Sequence, residues 1–319
     1  MRAAVIDGYG GVEKLEVREV PDPGAPGPGQ VRVRVRASSL NPIDWKLRRG
    51  SYRLVLPAKF PKILGSDAAG EVEAVGPEVT RFEPGDAVFG QTAIRQAGAH
   101  AEAVLMQESA LAHKPEALTF EEAAAVPLAA LTALQALRDK GELDSGERVL
   151  INGAAGGVGH FAVQIARAIG ARVTAVASGR NRDFLRQLGA ERTIDYQTED
   201  FAADEETYEV VFDAVGTSSW QECELLLAEK GVYVSTQAGA RQILDVAGTT
   251  VRGLFGEGRR AASVSVRPDA ADLEVLARWI DQGRLRPHVE RVFSLDEIRG
   301  AHEASESGHV RGKIVVRVG

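Results

Sequence analysis

Hydrophobic and polar positions follow a strand-like spacing in the first third of the chain. Residues 31–36 alternate strictly between valine and arginine, which predicts a strand with one buried face and one solvated face. The proline- and glycine-rich segment 21–29 before it can be neither a helix nor a central strand, and is predicted to be a loop. Because glycine and proline interrupt short apolar runs as far as Gly90, we predict a small β-barrel here.

Beyond residue 118 the spacing changes to helices that alternate with short apolar strands. An alanine-rich helix is predicted from Thr119 towards Leu137. A second helix, starting at Val158, has apolar residues on one face and is expected to end at Gly170. Strands are predicted at 149–151, 173–176, 193–195, 210–212 and 232–234. Strands and helices in alternation predict a parallel, doubly wound α/β sheet.

The tail of the chain is predicted to contain a helix, a strand, a second helix and a final strand. Ser294 and Glu297 have the spacing of a capping box, which predicts the start of the last helix. The apolar run 313–318 predicts the closing strand.

Composition narrows the class of protein. The 319 residues are 44% hydrophobic and 26% charged, which is ordinary for a packed globular protein and favours two domains. The net charge of −7 argues against a nucleic-acid binder. No apolar run is long enough for a membrane helix, and Asp7 comes too early for a signal peptide, so we expect a cytoplasmic protein. Cys223 is the single cysteine and is expected to be a packed thiol.

A glycine-rich turn lies between the strand at 149–151 and the helix that follows. In Gly153–Gly159, Ala154 holds the first position of a G-x-G-x-x-G pattern, and Gly156 and Gly159 hold the second and third. Such a turn lets the backbone approach a pyrophosphate, whose charge then meets N–H groups at the helix N-terminus. The strand before and the helix after favour dinucleotide binding over a tight turn that binds nothing.

The end of the next strand indicates which dinucleotide is bound. An NADH-dependent enzyme usually has an Asp or Glu there for the ribose 2′-hydroxyl. This chain has Ser178, Arg180 and Arg182 at that place, and Asp183 is expected to lie in the next helix. Because guanidinium groups suit a 2′-phosphate, we predict NADPH. The alternative is that both arginines are solvated loop residues.

Several motifs resemble those of one known family. Residues Gly65 to Gly70, followed by Gly76 and Val79, resemble the G-H-E-x-x-G-x5-G-x-x-V signature of medium-chain dehydrogenases/reductases. Other motifs similar to that family are at 84–86, 153–159, 212–216 and 312–316. They follow one another in the expected order, and the resemblance covers essentially the whole chain.

The chain departs from the zinc-dependent members of that family. Ser66 and Asp67 stand where those members have His-Glu, and the segment 40–44 replaces the cysteine that binds the catalytic zinc. The remaining histidines show no metal-binding spacing, and each is expected to be a surface or capping residue: His100, His113, His160, His288, His302 and His309. We therefore expect no metal. The segment 41–46 and the zinc-free pattern look like the quinone oxidoreductase (zeta-crystallin-like) branch.

The resemblance implies an architecture and an activity. It implies an N-terminal GroES-like β-barrel catalytic domain at 1–119, completed by about 269–319, and an NADP-binding Rossmann domain at 120–268, with a cleft between them. It also implies a homodimer that pairs through an edge strand of the Rossmann sheet. The implied reaction is NADPH-dependent reduction of a quinone or an α,β-unsaturated carbonyl compound.

Without zinc, the negative charge that develops on the substrate oxygen must be met by hydrogen-bond donors or water. The candidate catalytic residues are Asn41, Lys46 and Tyr52. Each has an alternative interpretation: Asn41 precedes a proline and shapes a turn, Lys46 belongs to a solvated basic run, and Tyr52 only forms a wall of the pocket. Asp44 and Asp67 are a possible acid pair, although we favour Asp67 as a replacement for a structural glutamate of the family motif.

The candidate cofactor residues fall into groups according to the part of the dinucleotide they would meet. They are Gly156, Gly157 and Val158 at the pyrophosphate, Ser178, Arg180 and Arg182 at the 2′-phosphate, Tyr196 near the adenosine, and Thr132 and Gln237 near the nicotinamide. Two other functions stay open at this point. One is an alkenal or enoyl-thioester double-bond reductase, and the other is a non-catalytic NADPH-binding redox sensor.

Overall fold

The computed structural model describes residues 1–237, 244–249 and 258–319, and its contacts divide the chain into two compact units. The first unit contains Met1–Leu131 and Arg267–Gly319, and the second contains Thr132–Val266. Among the described residues, no helix combines the length and the apolar character that crossing a membrane requires.

The strands and helices of the described residues are as follows. The strands are β1 (Arg2–Ile6), β2 (Leu15–Glu19), β3 (Gln30–Leu40), β4 (Lys62–Ile63), β5 (Asp67–Val75), β6 (Ala87–Gln91), β7 (Ala103–Gln107), β8 (Leu111–His113), β9 (Arg148–Asn152), β10 (Arg172–Ala177), β11 (Arg192–Asp195), β12 (Tyr208–Asp213), β13 (Leu227–Ser235), β14 (Arg260–Ser263), β15 (Val289–Ser294) and β16 (Lys313–Arg317). The helices are α1 (Pro42–Arg48), α2 (Phe120–Ala124), α3 (Pro127–Leu134), α4 (Gly159–Ile169), α5 (Arg182–Leu188), α6 (Trp220–Cys223), α7 (244–249), α8 (Ala270–Asp281) and α9 (Ile298–Glu306).

The first unit is rich in β-structure, as its spacing predicted. Its large sheet has the order β15-β16-β3-β5-β6-β8, with β7 also paired to β3, and β2-β1-β4 form a smaller sheet. The alternation of residues 31–36 is confirmed, because the valines are buried and the arginines between them are not. The pairing of β3 with β5 places Ser39 opposite Asp67, and the pairing of β5 with β6 places Asp67 opposite Gln91.

The second unit contains the predicted doubly wound parallel sheet. Its strand order is β11-β10-β9-β12-β13-β14, and every pair is parallel. The order reverses between β9 and β12, and ligands of such sheets bind outside the carboxyl ends of the strands at that reversal. Asn152 and Asp213 end these two strands. The end of α4 is also confirmed, since Gly170 caps it in the left-handed conformation at φ 99°.

The alanine-rich segment after Thr119 differs from the single helix predicted there. The chain forms α2, then α3, and then a π-helix at Gln135–Lys140. Pro127 is the physical reason for the break, because proline has no backbone N–H to continue the hydrogen bonds of α2, yet is well suited to the first position of a new helix. The prediction was correct in type and wrong in continuity.

Cys223 lies at the end of α6 and is buried in the core of the second unit. Burial raises the pKa of its thiol to about 12, with the nearby Asp213 acting in the same direction. The prediction of a packed thiol is therefore confirmed.

Candidate active site

The glycine turn of the second unit is built from backbone with little room for side chains. A Cβ placed on Gly159 would lie 2.1 Å from the carbonyl oxygen of Gly153 and 2.7 Å from the Cα of Ala154. Only glycine allows the first turn of α4 to pack this closely against the preceding chain. The tight turn is kept by the N–H of Gly156, which donates to the carbonyl of Gly153 at 3.0 Å.

Gly156 differs from Gly159 in what surrounds it. A Cβ on Gly156 would meet nothing nearer than the Gly153 oxygen at 3.4 Å, so this position is open. Gly157 and Val158 follow it and are half-buried, and Val158 is the N-cap residue of α4 and already has helical backbone angles. An open backbone at a helix N-terminus is the arrangement that accepts a pyrophosphate. The turn therefore fits the dinucleotide that the pattern predicted.

His160 is a residue of this turn whose place the sequence did not indicate. Its Nδ1 lies 3.0 Å from the carbonyl oxygen of Gly156. Because a carbonyl can only accept, the proton of this hydrogen bond belongs to Nδ1. The imidazole thereby ties α4 to the turn and holds the Gly156 peptide in place.

Asp213 organises the loop that follows β12. Its buried carboxylate accepts hydrogen bonds from the N–H groups of Gly216 and Ser218, each at 2.8 Å, from Asn152 Nδ2 at 3.1 Å and from Tyr233 Oη at 3.2 Å. Residues 212–216 resemble a motif of the family, but the sequence did not assign Asp213 a role. It fixes the loop at the carboxyl end of the sheet, where the strand order reverses.

The side chains predicted to bind the 2′-phosphate lie at the end of β10. Ser178 is half-buried and its Oγ accepts from Asn181 Nδ2 at 3.0 Å, while Arg180 and Arg182 are exposed. The neighbouring strand adds a carboxylate that the sequence did not indicate. A Cβ on Gly179 would lie 2.3 Å from Asp195 Oδ2, so this carboxylate lies against the turn that begins at Ser178.

The other predicted cofactor residues also lie in the second unit. Thr132 is buried in α3. Gln237 is half-buried, and its Nε2 donates to the carbonyl of Gly216 at 2.7 Å, which attaches it to the loop held by Asp213. Tyr196 follows β11, and 55% of its surface is exposed.

A network of buried charged and polar side chains, called here the Asp67 network, lies in the first unit. Asp67 is fully buried, and its carboxylate accepts from Ser39 Oγ at 2.6 Å, from Asn41 Nδ2 at 2.8 Å and from the N–H of Leu128 at 2.8 Å. The ammonium of Lys313 donates to Asn41 Oδ1 at 2.5 Å and lies 3.7 Å from Asp67 Oδ2. The network therefore joins β3, β5 and β16 to the start of α1.

Asp44 belongs to the same buried region through the N-terminus of α1. Its carboxylate accepts from the N–H of Asn41 at 2.8 Å, as part of a capping box, and from the N–H of Gly65 at 3.2 Å. Burial raises the pKa of Asp44 to about 7, and the charge of Asp67 acts in the same direction. Burial lowers the pKa of Lys313, while both carboxylates raise it.

The donor set of this region does not fit a zinc ion. Zinc sites in proteins are made of Cys, His, Asp or Glu side chains, usually four ligands or three with an open position. Here the oxygens of Asp67 and Asp44 are engaged by hydrogen-bond donors, Ser66 supplies only a hydroxyl, and the ammonium of Lys313 already lies beside the carboxylate. In the described part of the chain, no three His, Cys, Asp or Glu residues are grouped as a metal site.

The three catalytic candidates have different surroundings. Asn41 is 2% exposed and stands at the centre of the Asp67 network, where it also caps α1. Lys46 is half-buried, with its ammonium 5.5 Å from the ring centre of Trp45, and burial lowers its pKa. Tyr52 is half-buried and packs against the hydrophobic core of the first unit. The structure thus brings Asn41 together with Asp44 and Asp67, and neither Lys46 nor Tyr52 is a partner in that network.

The histidine prediction was wrong for His100, His160 and His302, which are fully buried. His100 Nδ1 lies 3.0 Å from Ser38 Oγ, and its ring centre is 6.3 Å from that of His302. Burial lowers the pKa of His100 to about 3 and holds that of His302 well below its usual range. Both therefore remain neutral, and neither could have been placed by its neighbours in the sequence.

Comparison with known proteins agrees with this architecture. The alcohol dehydrogenase GroES-like domain matches residues 27–116, and the zinc-binding dehydrogenase family matches residues 188–316. A quinone oxidoreductase of Pseudomonas aeruginosa is 38% identical over 321 residues, covering 97% of each chain. The solved quinone oxidoreductase of Coxiella burnetii is 36% identical with a TM-score of 0.89, covering 100% of this chain and 99% of that one.

A third similar protein was solved in complex with a cofactor. The Escherichia coli quinone oxidoreductase, complexed with NADPH, is 27% identical with a TM-score of 0.84, and the match covers 100% of both chains. These relatives span the full length of the chain, and the folds of its two units are theirs. The chain is an oxidoreductase that belongs to the quinone oxidoreductase branch of the medium-chain dehydrogenases/reductases.

Proposed function

We propose that this protein is a zinc-independent, NADPH-dependent oxidoreductase that delivers hydride to a quinone or an α,β-unsaturated carbonyl compound. The observation that carries the proposal is the open backbone at Gly156, in the turn that leads into the buried helix α4 at the reversal point of a doubly wound sheet. Full-length similarity to quinone oxidoreductases supports the acceptor class.

Within this proposal, residues 120–268 bind the cofactor. Gly157 and Val158 would offer N–H groups to the pyrophosphate, Gly156 would let the phosphate approach the backbone closely, and His160 would keep Gly156 in position. Gln237, which is hydrogen-bonded to Gly216, would position the nicotinamide end of the cofactor together with Thr132. Bound nicotinamide supplies the hydride, which the side chains of the protein do not carry.

The choice of NADPH rests on the end of β10. Ser178, Arg180 and Arg182 would bind the 2′-phosphate, and Tyr196 would lie by the adenosine. Guanidinium groups bind a phosphate through paired, charge-assisted hydrogen bonds, which favours a 2′-phosphate over a free 2′-hydroxyl even with Asp195 against the same turn.

The negative charge that forms on the substrate oxygen needs a donor near the acceptor. An amide nitrogen has two hydrogens, and Asp67 takes one from Asn41, so the second remains for the substrate in this proposal. Lys46 would add a positive charge, and Tyr52 a phenolic donor or an apolar wall. We also propose that the protein works as a cytoplasmic homodimer.

The test is oxidation of NADPH by the purified protein with a simple benzoquinone, a polycyclic ortho-quinone and a short enal, each repeated with NADH. Quinone-dependent oxidation that strongly prefers NADPH is the expected result. Turnover of the enal alone would move the function to double-bond reduction. Tight NADPH binding by fluorescence with no turnover of any acceptor would contradict the proposal in favour of a sensor.

The candidate donors are tested with Lys46→Met and Tyr52→Phe. If either side chain donates a hydrogen bond to the substrate, its substitution should lower kcat about 10- to 100-fold while the Kd for NADPH stays unchanged. Lys62→Met is the matched control for Lys46, because the half-buried Lys62 ammonium donates to the backbone carbonyls of Arg95 and Gln96. Equal kinetics in all three variants would remove both side chains from the proposed chemistry.

A further inference from the structure

The Asp67 network holds charges that are unusual for the interior of a protein. Asp67 and Asp44 are fully buried, and Lys313 is only 3% exposed. The positive charge of the Lys313 ammonium interacts with the carboxylates of both Asp67 and Asp44. Charged groups in such surroundings are retained only when they are paired and hydrogen-bonded.

The position of Lys313 determines the orientation of Asn41. The carboxamide oxygen of Asn41 accepts from Lys313 at 2.5 Å, and its nitrogen donates to Asp67 at 2.8 Å. The reversed amide would place its NH₂ group against an ammonium and its oxygen against a carboxylate, which are two repulsive contacts. With Lys313 present, only one orientation of Asn41 is favourable.

The residues around the ammonium are also those that differ from the zinc-dependent members of the family. Ser66-Asp67 replaces their His-Glu pair, and the segment that contains Asn41 replaces their zinc-binding cysteine. The fold brings both replacements together next to Lys313, which is supplied by β16 from the far end of the chain.

We propose that Lys313 is a positioning residue whose ammonium serves as the fixed internal cation of this site. It balances Asp67 and holds the Asn41 amide with its nitrogen directed at that carboxylate. The catalytic consequence rests on the proposed function, whereas the charge balance does not.

The first experiment is a charge-balance cycle made of Lys313→Met, Asp67→Asn and the double variant. Methionine keeps much of the length of lysine but removes the charge, so Lys313→Met should melt at least about 5 °C lower than the wild type. The double variant should regain part of this loss, because the buried Asp67 charge that lost its partner is then removed as well. Lys62→Met serves as a control that loses a half-buried ammonium outside the network.

A second measurement separates an internal cation from an ordinary packed lysine. Lys313→Ala leaves Asp67 and Asn41 without their cation and leaves the space of the lost side chain, which an added ethylammonium ion can fill. Added ethylammonium should raise the melting temperature of Lys313→Ala by several degrees, and should leave the wild type and the Lys313→Ala/Asp67→Asn double variant unchanged. Absence of this difference would overturn the proposal, as would a Lys313→Met variant with wild-type melting.

Steady-state kinetics tests the positioning role. In Lys313→Met, kcat with a quinone should fall at least about tenfold while the Kd for NADPH stays within about twofold. An unchanged kcat would overturn the positioning role. If the wild type itself reduces no quinone, the proposed function fails while the thermal and ethylammonium measurements still decide the charge-balance role of Lys313.

Discussion

The glycine turn of the second unit and the Asp67 network of the first unit stabilise charge in different ways. The turn uses backbone groups from the short segment 153–160, in which Gly156 and His160 bond to residues three or four positions back and the N–H groups of Gly153 and Ala154 bond to the next strand at Val176. The network uses the charged side chains of Asp44 in α1, Asp67 in β5 and Lys313 in β16, together with a hydroxyl from β3 and a backbone N–H at the start of α3. One is a property of local backbone shape, and the other exists only after distant segments have met.

This difference determines how each region should respond to change. The partial charges of backbone N–H groups do not change with pH. The turn loses their effect only when its backbone conformation changes. Buried ionisable groups respond to pH and to the removal of any partner, because each group depends on the charge of the others. The network should therefore be sensitive to charge, and the turn should be sensitive to volume.

The largest effect is expected when the network loses a carboxylate. Asp67→Ala leaves the Lys313 ammonium buried without its partner, and should lower the free energy of unfolding by about 3–5 kcal/mol. Urea denaturation of the wild type and the variant measures this difference. Asp7→Ala, which removes an exposed partner of Arg18, is the control and should change stability little. Similar losses in the two variants would mean that burial of the pair does not determine its importance.

The turn should respond to a single methyl group according to its position. Gly159→Ala places a Cβ against the Gly153 carbonyl. It should lower the free energy of unfolding by about 3 kcal/mol and also weaken cofactor binding. Gly156→Ala meets nothing closer than 3.4 Å, so the protein should stay folded while its Kd for NADPH rises about tenfold or more. Thermal melting and fluorescence titration separate the two effects. Tight NADPH binding by Gly156→Ala would contradict the proposed pyrophosphate site.

The buried histidines should make the first unit sensitive to acid. Because burial holds the pKa of His302 well below its usual value, the unfolded chain binds a proton below about pH 6.5 while the folded chain does not. Stability contributed by the neutral ring is therefore lost as the pH falls. Asp44 acts in the opposite direction, since its raised pKa of about 7 lets the folded state keep a proton that the unfolded state has lost.

His302→Leu isolates this contribution, because Asp44 remains in both proteins. Between pH 6.5 and 5 the wild type should lose about 2 kcal/mol more stability than the variant, as measured by denaturation at both pH values. The ring nitrogens of His302 have no hydrogen-bond partner in the described structure, so leucine should be tolerated at this position at neutral pH. Parallel pH profiles for the two proteins would show that His302 is protonated in the folded state.

The smallest effect concerns the choice between the two cofactors. Asp195 lies against the turn at Gly179, where its carboxylate would repel a 2′-phosphate. Asp195→Ala should raise the preference for NADPH over NADH about three- to tenfold, measured as the ratio of kcat/KM values. Arg182→Ala should shift that ratio in the opposite direction. A ratio that neither substitution changes would place the 2′-phosphate elsewhere.

Much of the fold followed from patterns of short range. The valine–arginine alternation predicted β3, and the apolar runs predicted the strands of the parallel sheet. The helix after Thr119 was predicted without its break, because apolar spacing alone gives no weight to the missing N–H of Pro127. The burial of His100 and His302 was missed because it depends on packing against segments far away in the chain.

The sequence by itself determined the glycine turn, the strands around it and the replacement of the zinc-ligand positions, since each is written in residues that are adjacent in the chain. Only the tertiary structure placed Asp195 beside Gly179 and assembled Asn41, Asp67 and Lys313 into one network. The physical reason is that backbone conformation depends mainly on local residue type, whereas electrostatic pairing depends on distance in space, which the order of residues does not specify.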